Sequence, residues 1–178
     1  MSELIVLVDD QNRQIGIVDK ESVHTSNTLL HRGFSLFLFN SKKELLMTKR
    51  AQHKKTFPEV WTNTVCGHPG PNEEITQAAK RRLKQELGIT VFDVIVIDPN
   101  YRYRFTDRNG IVENEICPIL ITKSDAYPQP NPEETEDWQW LPWVTFLIEV
   151  KDNPDKYSPW SIEEALIVDR FLKKNGKI

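Results

Sequence analysis

Residues 62–89 constrain the fold most, because their spacing requires a helix and the segment before that helix carries reactive side chains. The apolar residues that recur at helical spacing are Ile75, Ala78, Ala79, Leu83 and Leu87. Asn72 is expected to cap this helix, and Gly88 offers a left-handed stop. Cys66 and His68 lie two residues apart in the preceding loop. The segment therefore predicts a strand, a reactive loop and a helix.

Two charged residues of this helix lie on its apolar face. At about 100° per residue, Arg82 and Glu86 fall near the middle of the apolar stripe. One interpretation is a buried i,i+4 ion pair, which is close to neutral for stability. The other is that the inner end of the helix opens on a cleft where an arginine and a carboxylate hold an anion and a metal. We favour the cleft.

Composition limits the class of protein. A chain of 178 residues with 39% hydrophobic residues is long enough for one well-buried core, so we expect a single domain over residues 1–178. A net charge of −3 supplies no general attraction for nucleic acid or membrane. No apolar run approaches membrane-spanning length and no secretion signal is evident, which predicts a cytoplasmic protein. Cys66 and Cys117 are then expected to be free thiols.

The remaining sequence predicts a mixture of strands and helices. A hairpin over residues 3–8 and 15–18 is followed by a short helix after Asp19. Strands are expected at residues 34–39, 44–48, 91–97, 100–105, 111–121 and 138–140. Residues 125–137 form a loop, and a second polar loop leads to a last helix that ends near residue 174. Ser158 is placed to cap that helix, with Pro159 in its first position.

Three histidines and two glutamates suggest a metal site. Glu113 and Glu115 point to the same side of an extended strand, where like charges repel unless a cation or a proton lies between them. An exposed edge strand would tolerate the same pair in water. His24, His31 and His68 complete a mixed nitrogen and oxygen donor set, and no CxxC motif competes with it.

A basic loop precedes the reactive loop. Its cations are Lys49, Arg50, Lys54 and Lys55. A solvated turn would explain them, but their position favours phosphate contact, since arginine makes forked bonds to phosphate and lysine acts as a point charge. Farther along the chain, Tyr101 and Tyr103 share one face of a strand.

These motifs resemble those of the type 1 isopentenyl-diphosphate Δ-isomerases, and the resemblance covers nearly the whole chain. The motifs are HTxxxxLH at 24–31, WTNTVCGHP at 61–69, RRLKQELGI at 81–89, YRYR at 101–104, GIVENEICP at 110–118 and YSPW at 157–160. The resemblance implies a Nudix-like α/β/α sandwich of the α/β (α+β) class, with a mixed β-sheet flanked by helices. It also implies isomerisation of isopentenyl to dimethylallyl diphosphate, a small-molecule substrate, and a monomer or weak homodimer.

The same resemblance implies roles for individual residues. The residues that would bind one divalent metal, Mn²⁺, Mg²⁺ or Zn²⁺, are His24, His31, His68, Glu113 and Glu115. Glu86 and the Cys66 backbone carbonyl would hold a Mg²⁺ that touches the diphosphate. The diphosphate contacts would be Lys20, Arg50, Lys54 and Arg82. Cys66 and Glu115 would be the proton-transfer pair, with Tyr103 beside Glu115 and Trp160 over the isoprenyl chain.

Two other functions compete with the isomerase. A Nudix diphosphate hydrolase is opposed by Arg82 and Gln85, which stand where hydrolytic members carry acids. A binding module without catalysis has no need of a thiol and paired acids on one cleft. Two smaller departures concern the loops: Glu59 stands where the family often has glycine, and His53 matches no functional position.

Overall fold

The computed structural model describes residues 3–176, so residues 1, 2, 177 and 178 of the predicted domain lie outside the described residues. Within this range the strands are β1 (Leu4–Val8), β2 (Gln14–Asp19), β3 (His31–Arg32), β4 (Phe34–Phe39), β5 (Glu44–Arg50), β6 (Trp61–Thr62), β7 (Val65–Gly67), β8 (Ile95–Asp98), β9 (Arg102–Thr106), β10 (Val112–Ile116), β11 (Ile119–Lys123) and β12 (Thr135–Pro142). The helices are α1 (Lys20–Val23), α2 (Ile75–Leu87), α3 (Trp143–Asp152) and α4 (Pro159–Asn175), with a 3₁₀ turn at Pro154–Lys156. None of these helices is long and apolar enough to cross a membrane.

The strands form two mixed sheets. The first sheet has the order β2-β1-β3-β10-β9, and the second has the order β12-β5-β4-β11-β8, with β6 paired to β5 and β7 paired to β4. β10 runs parallel to β3 and β11 runs parallel to β4, whereas the other pairs are antiparallel. The predicted α+β class with mixed sheets is confirmed.

Helices cover both faces of the second sheet. Every residue of β4 is buried, and alternate residues point to opposite faces. Phe37 and Phe39 pack in a cluster that includes α3 and α4, whereas Leu36 and Leu38 pack in a cluster that includes α2. The sheet is therefore the middle layer of the predicted α/β/α sandwich.

Helix α2 has the predicted apolar stripe and the predicted end. Gly88 has φ of 68° and donates its backbone N–H to Lys84, which closes the last turn. The predicted cap is wrong, because Asn72 lies outside the helix with φ of 61° and Glu74 occupies the N-cap position without a capping side-chain bond. Ser158 does occupy the N-cap position of α4, but its side chain makes no capping bond and contacts Ser161 instead.

Two other predictions were wrong. The strand predicted at 91–97 begins only at Ile95, because Val91 turns inward and packs against α2 instead of extending the sheet. The second predicted polar loop contains helix α3, whose Trp143, Phe146 and Val150 are buried. Their spacing of three and four residues was the signal for this helix.

The chain passes from one sheet to the other at two adjacent places. Gly33 separates β3 from β4, and Cys117 with Pro118 separates β10 from β11, so the strand predicted over 111–121 is two strands in different sheets. The two crossings are joined by the Gly33 N–H, which donates to the Ile116 carbonyl at 2.9 Å. A Cβ atom at Gly33 would lie 1.8 Å from Oε2 of Glu115. The crossing therefore has room only for glycine.

The close approach at Gly33 predicts a specific cost of substitution. Gly33→Ala should destabilise the protein by roughly 1–3 kcal/mol, the usual cost of overpacking, because the Glu115 carboxylate is buried and must move. Urea unfolding would measure this. The matched control is Gly16→Ala on β2, where the new Cβ meets Leu7 at 3.5 Å, an ordinary contact. Equal unfolding midpoints for the two variants would show that the crossing tolerates a side chain.

Candidate active site

A cleft of about 540 Å³ gathers most of the predicted site residues. The predicted residues that line it are Lys20, His24, Arg50, Lys54, Cys66, His68, Arg82, Tyr103, Glu113, Glu115 and Trp160. The other two, His31 and Glu86, lie just behind the wall. His31 is 3.4 Å from Glu115, and Glu86 is 2.5 Å from Arg82.

Strand register places the side chains around Glu115. β10 pairs with β3 so that Glu115 is opposite His31, and it pairs with β9 so that Glu115 is opposite Tyr103. Glu113 lies two residues earlier on the same strand and also faces the cleft. The two crossings therefore bring this part of the first sheet next to the reactive loop of the second.

Three imidazoles and a carboxylate form a tight buried group. Ligand atoms of His24, His31, His68 and Glu115 all lie within 4.8 Å of one another. The three ring centroids are 5.2–5.8 Å apart. His68 Nε2 is 3.2 Å from Glu115 Oε1. A buried set of nitrogen and oxygen donors at this spacing suits a divalent metal.

The orientation of His31 supports this interpretation. Its Nδ1 lies 2.8 Å from the Leu29 carbonyl, which only accepts, so Nδ1 carries the hydrogen, and Nε2 carries the lone pair when the ring is neutral. Nε2 is buried and has no hydrogen-bond partner among the described residues. A metal-binding histidine is oriented in this way by a backbone carbonyl on its other nitrogen.

The neighbouring charges shift the pKa values within this group. Burial acts to lower the pKa of His31, but the nearby Glu115 outweighs it and raises it. Burial acts to raise the pKa of Glu115, but the neighbouring His31 and His68 rings outweigh it and hold the pKa well below the usual value. Burial lowers the pKa of His68, so that this ring is neutral near pH 7. The group is therefore an ionised carboxylate with at least one neutral imidazole.

Glu113 stands at the edge of this group. Its Oε2 is 3.0 Å from His24 Nε2, and its other oxygen accepts a hydrogen bond from the Thr56 hydroxyl. Burial acts to raise the pKa of Glu113, but the bond to His24 reverses the direction and lowers it. Thr56, which the sequence did not single out, thus orients one of the predicted ligands.

Cys66 lies on β7 at the inner end of the cleft. Its Sγ donates to Asn63 Oδ1 at 3.1 Å and lies 3.6 Å from the Ser35 hydroxyl. Burial, followed by the nearby Glu164, raises the pKa of Cys66 to about 12. The side chain is therefore a thiol at neutral pH. Cys66 and Cys117 are both free, as expected.

An aromatic wall faces the thiol. Trp160 is almost fully buried and stacks on Tyr103 with ring centroids 5.6 Å apart and an interplanar angle of 16°. Phe57 meets the indole edge-on at 5.1 Å. The indole N–H donates to Thr62 Oγ1 at 3.1 Å, and the Arg50 guanidinium lies 5.6 Å above the ring. This wall makes the inner end of the cleft apolar.

The opposite end of the cleft is charged. Lys20 is 2.6 Å from Glu3, Lys54 pairs with Glu134, and Arg82 pairs with Glu86. Arg82 also lies 3.2 Å from Glu134 and 3.6 Å from Glu3. The i,i+4 pair of the first interpretation therefore forms, and Arg82 also lines the cleft. That these two residues hold an anion and a metal stays a prediction.

Sequence reasoning missed the carboxylates that meet these cations. Glu3 directly precedes the N-terminal hairpin, and Glu134 lies in the segment that the sequence predicts as a loop. A weak signal existed for Glu134, because the basic loop at 49–55 and the acidic loop at 133–136 have complementary charges. Glu3 had no such signal, since its position depends on the contact of β1 with the rest of the first sheet.

Comparison with solved structures identifies the fold. A family model described as NUDIX domain matches residues 29–161. The fold is similar to that of a Deinococcus radiodurans protein, with a TM-score of 0.65 and 20% identity over 85% of this chain and 90% of the other. It is also similar to a MutT protein from Methanosarcina mazei, with a TM-score of 0.62 and 17% identity over 83% of this chain and 96% of the other.

Relatives with higher sequence identity show which family of Nudix-fold proteins the chain belongs to. The chain is 46% identical to a Saccharopolyspora erythraea protein over 92% of this chain and 84% of the relative, and that protein is named isopentenyl-diphosphate Delta-isomerase. A Klebsiella pneumoniae protein with the same name is 42% identical over 92% of this chain and 89% of its own length. The chain therefore belongs to the isopentenyl-diphosphate Delta-isomerase family and has its Nudix fold.

Proposed function

We propose that the protein converts isopentenyl diphosphate to dimethylallyl diphosphate, a step of isoprenoid biosynthesis, by adding a proton to one carbon and removing one from another. One observation carries this proposal: a single cleft has an apolar inner end and a cationic outer end. A thiol and a carboxylate face the substrate space at the inner end. An isoprenyl diphosphate has the same division between an apolar chain and an anionic head.

Cys66 and Glu115 are the proton-transfer pair of this proposal. Isomerisation needs one acid and one base at the two ends of the moving double bond. One group is a buried thiol and the other is an ionised carboxylate, and both line the cleft. Tyr103 lies opposite Glu115 in the strand register and completes the wall beside it.

Trp160 protects the reaction intermediate. Protonation of the alkene gives a tertiary carbocation, which water would trap. The indole lies in an aromatic wall that excludes water, and its π-face attracts a cation. Its hydrogen bond to Thr62 fixes the ring in place.

Lys20, Arg50, Lys54 and Arg82 hold the diphosphate. Lysine supplies point charge and arginine supplies forked bonds to phosphate oxygens. Arg50 connects the two ends of the cleft, because its guanidinium donates to the Phe57 and Thr56 carbonyls while it lies above Trp160. It therefore lies near the junction of the anionic head and the apolar chain.

Two metal ions complete the proposed site. The residues that would hold the first, a Mn²⁺, Mg²⁺ or Zn²⁺ ion, are His24, His31, His68, Glu113 and Glu115, and the unpaired Nε2 of His31 fits such a group. Glu86 and the Cys66 carbonyl would hold a Mg²⁺ that contacts the diphosphate, since Mg²⁺ takes few protein oxygens and keeps water or phosphate on its other positions. A metal on Glu115 lowers the proton affinity of that carboxyl group.

The remaining predictions belong to the same proposal. The substrate is a small molecule, and the protein acts in the cytoplasm as a monomer or weak homodimer without a nucleic-acid or membrane partner. The alternative, a Nudix-type diphosphate hydrolase, is favoured by the NUDIX match alone. It is opposed by Arg82 and Gln85, which stand where hydrolytic members carry acids.

One experiment separates the two activities. The protein is incubated with isopentenyl diphosphate and Mg²⁺ in D₂O, and the products are followed by NMR. Dimethylallyl diphosphate that contains deuterium supports isomerisation. Release of phosphate or pyrophosphate without that product supports hydrolysis and rejects the proposal.

In the same assay, Cys66→Ala and Glu115→Gln should each lower the rate by more than about 10²-fold, the usual contribution of a general acid or base. Each variant removes a proton carrier and little core volume, so melting temperatures should change little. Cys117→Ser is the matched control, because this second thiol also lies near Ser35 but does not line the cleft. A variant that keeps a tenth of the activity would show that its residue is not the proton carrier.

Metal removal gives an independent check. Chelation should stop the reaction, and His24→Ala, His31→Ala or His68→Ala should lower the metal content, because a site of this kind loses affinity with each ligand. Metal content is measured by elemental analysis of the purified variants. His53→Ala is the control, since His53 is exposed and contacts Glu133 instead of the group. Full activity in metal-free protein would contradict the proposed site.

The role of Trp160 is tested by two substitutions that both remove the indole N–H. A desolvated cation–π contact is worth roughly 2 kcal/mol, so Trp160→Leu should lower kcat about thirtyfold. Trp160→Phe keeps a weaker π-face and should lose less. Both variants lose the bond to Thr62 and leave a cavity, which is larger for leucine, so melting temperatures are measured beside kcat to separate lost stability from lost catalysis. Equal kcat for Leu and Phe would show that Trp160 is only a packing residue.

A further inference from the structure

The loop at residues 56–59, which leads from the basic loop towards β6, contains two residues with an unfavourable backbone conformation. Phe57 has φ of 43° and Glu59 has φ of 65°, in the left-handed region that residues other than glycine rarely adopt. Such a residue costs free energy and persists where the surrounding structure holds it in place. The proposed mechanism assigns no role to either residue, so the contacts of this loop need an explanation.

A buried aspartate holds the loop at one end of the Phe57 backbone. Asp107 lies in the turn between β9 and β10 and is 7% exposed. Its Oδ2 accepts the Phe57 N–H at 3.3 Å. The Arg50 guanidinium donates to the Phe57 carbonyl at 3.0 Å and to the Thr56 carbonyl at 2.8 Å. Charged side chains therefore bind both the N–H and the carbonyl of Phe57.

A second turn of the same kind shows what is particular to Asp107. Its Oδ1 accepts the backbone N–H groups two and four residues later, at 2.8 and 2.9 Å. Oδ1 of Asp9, in the turn between β1 and β2, makes the corresponding two bonds at 3.0 and 2.9 Å. The second oxygen of Asp9 binds Arg13 within its own turn, whereas the second oxygen of Asp107 binds Phe57. One oxygen of Asp107 thus forms the turn, and the other holds the loop.

The Phe57 ring covers the side of Trp160 that lies away from the cleft. The two rings are perpendicular, with centroids 5.1 Å apart. Trp160 is 1% exposed, whereas Phe57 is half-buried and lies outside the cleft lining. Tyr103 stacks on the indole separately. The Phe57 ring therefore lies between the indole and the protein surface.

We propose that Phe57 is a positioning residue that closes the Trp160 wall against water, and that Asp107 holds it there. The effect on products rests on the proposed function. In that reaction the tertiary cation can lose a proton and give dimethylallyl diphosphate. Alternatively, a water oxygen forms a bond to the cationic carbon and the bound water loses a proton, which gives a tertiary alcohol diphosphate without oxidation or reduction. An open wall therefore changes the product as well as the rate.

Phe57→Ala tests the closure by the ratio of the two products. The metal-loaded variant is incubated with isopentenyl diphosphate and Mg²⁺ in ¹⁸O-labelled water, and mass spectrometry measures the labelled alcohol. The ratio of alcohol to dimethylallyl diphosphate should rise at least about tenfold, which corresponds to about 1.36 kcal/mol between the two steps. KM should not change, because the diphosphate is bound at the other end of the cleft. Phe171→Ala is the matched control, since Phe171 is also half-buried but packs in a different cluster.

Asp107→Asn tests the bond that holds the loop. The carbonyl oxygen of asparagine can still accept the N–H groups of the turn, but its NH₂ group cannot accept the Phe57 N–H. The product ratio should therefore rise as in Phe57→Ala. Asp9→Asn makes the same change in the hairpin turn, and Arg108→Gln breaks an exposed ion pair with Glu59 that contributes little. Both should keep the wild-type ratio, and an Asp107→Asn ratio equal to that of Asp9→Asn would overturn the role of Asp107.

Melting temperature and metal content separate this role from a structural one. Phe57→Ala leaves a cavity and should melt at a lower temperature. Thr56 in the same loop donates to Glu113, so metal content is measured in every variant. A raised alcohol ratio at wild-type metal content is the expected result, and lost stability with a wild-type ratio would overturn the inference. If Phe57→Ala fails to fold, Phe57→Leu tests the same closure, with a smaller rise expected because leucine keeps part of the volume.

A second readout does not need the reaction. The indole N–H of Trp160 exchanges with D₂O when water reaches the wall, and NMR measures its rate. In Phe57→Ala and Asp107→Asn this rate should rise at least about tenfold. The indole N–H of Trp143, which has its own bond on α4, is the internal reference and should keep its rate. Wild-type exchange of Trp160 in Phe57→Ala would overturn the inference. A wild-type protein that forms no dimethylallyl diphosphate would instead reject the proposed function, and the exchange rates would still decide the role of Phe57.

Discussion

The structure depends on a carboxylate that is buried where the chain crosses from one sheet to the other. Glu115 lies against the backbone of Gly33, and no Cβ fits between them. Burial of an ionised group is costly unless partners surround it. His31 and His68 are these partners, since both contact one Glu115 oxygen and lower its pKa. The glycine at the crossing and the histidines at the site are therefore parts of one constraint.

The same crossing determines what else reaches the cleft. Parallel pairing of β3 with β10 and of β4 with β11 continues across Gly33 and across Cys117 with Pro118. The first sheet thus contributes Tyr103 and the glutamates, while the second contributes Ser35 and Cys66. The two crossings allow Cys66 and Glu115 to face each other from different sheets. On a single flat sheet the two side chains would lie side by side instead. The α/β/α layers then bury the second sheet on both faces and fix the thiol within it.

Sequence patterns predicted those features that depend on residues near one another in the chain. The stripe on α2, the left-handed end at Gly88 and the shared face of Glu113 and Glu115 follow from local periodicity, and all are present. Helix α3 also has a local signal in the spacing of Trp143, Phe146 and Val150, although its many polar residues resemble those of a loop. The division of residues 111–121 was not predictable in this way, since an apolar run does not reveal which sheet each half joins. Local patterns also do not reveal the surroundings of some buried or half-buried polar residues, because these depend on contacts with residues distant in sequence. Examples are Glu3, Ser35 and Glu164.

Charge balance at the outer end of the cleft allows three cations to lie close together. Among the described residues, Glu3 and Glu134 contact Lys20, Lys54 and Arg82, and Glu86 adds a third carboxylate. Such half-buried pairs contribute little net stability, because desolvation offsets most of the attraction. Their effect is to hold the cations in fixed positions at the cleft. An anion that binds there would replace carboxylates as the partners of these cations, so its net affinity would be the difference between two similar interactions. In the proposed function, a diphosphate with a bound divalent metal would gain in this exchange, since it would bring several oxygens to cations that are already in position.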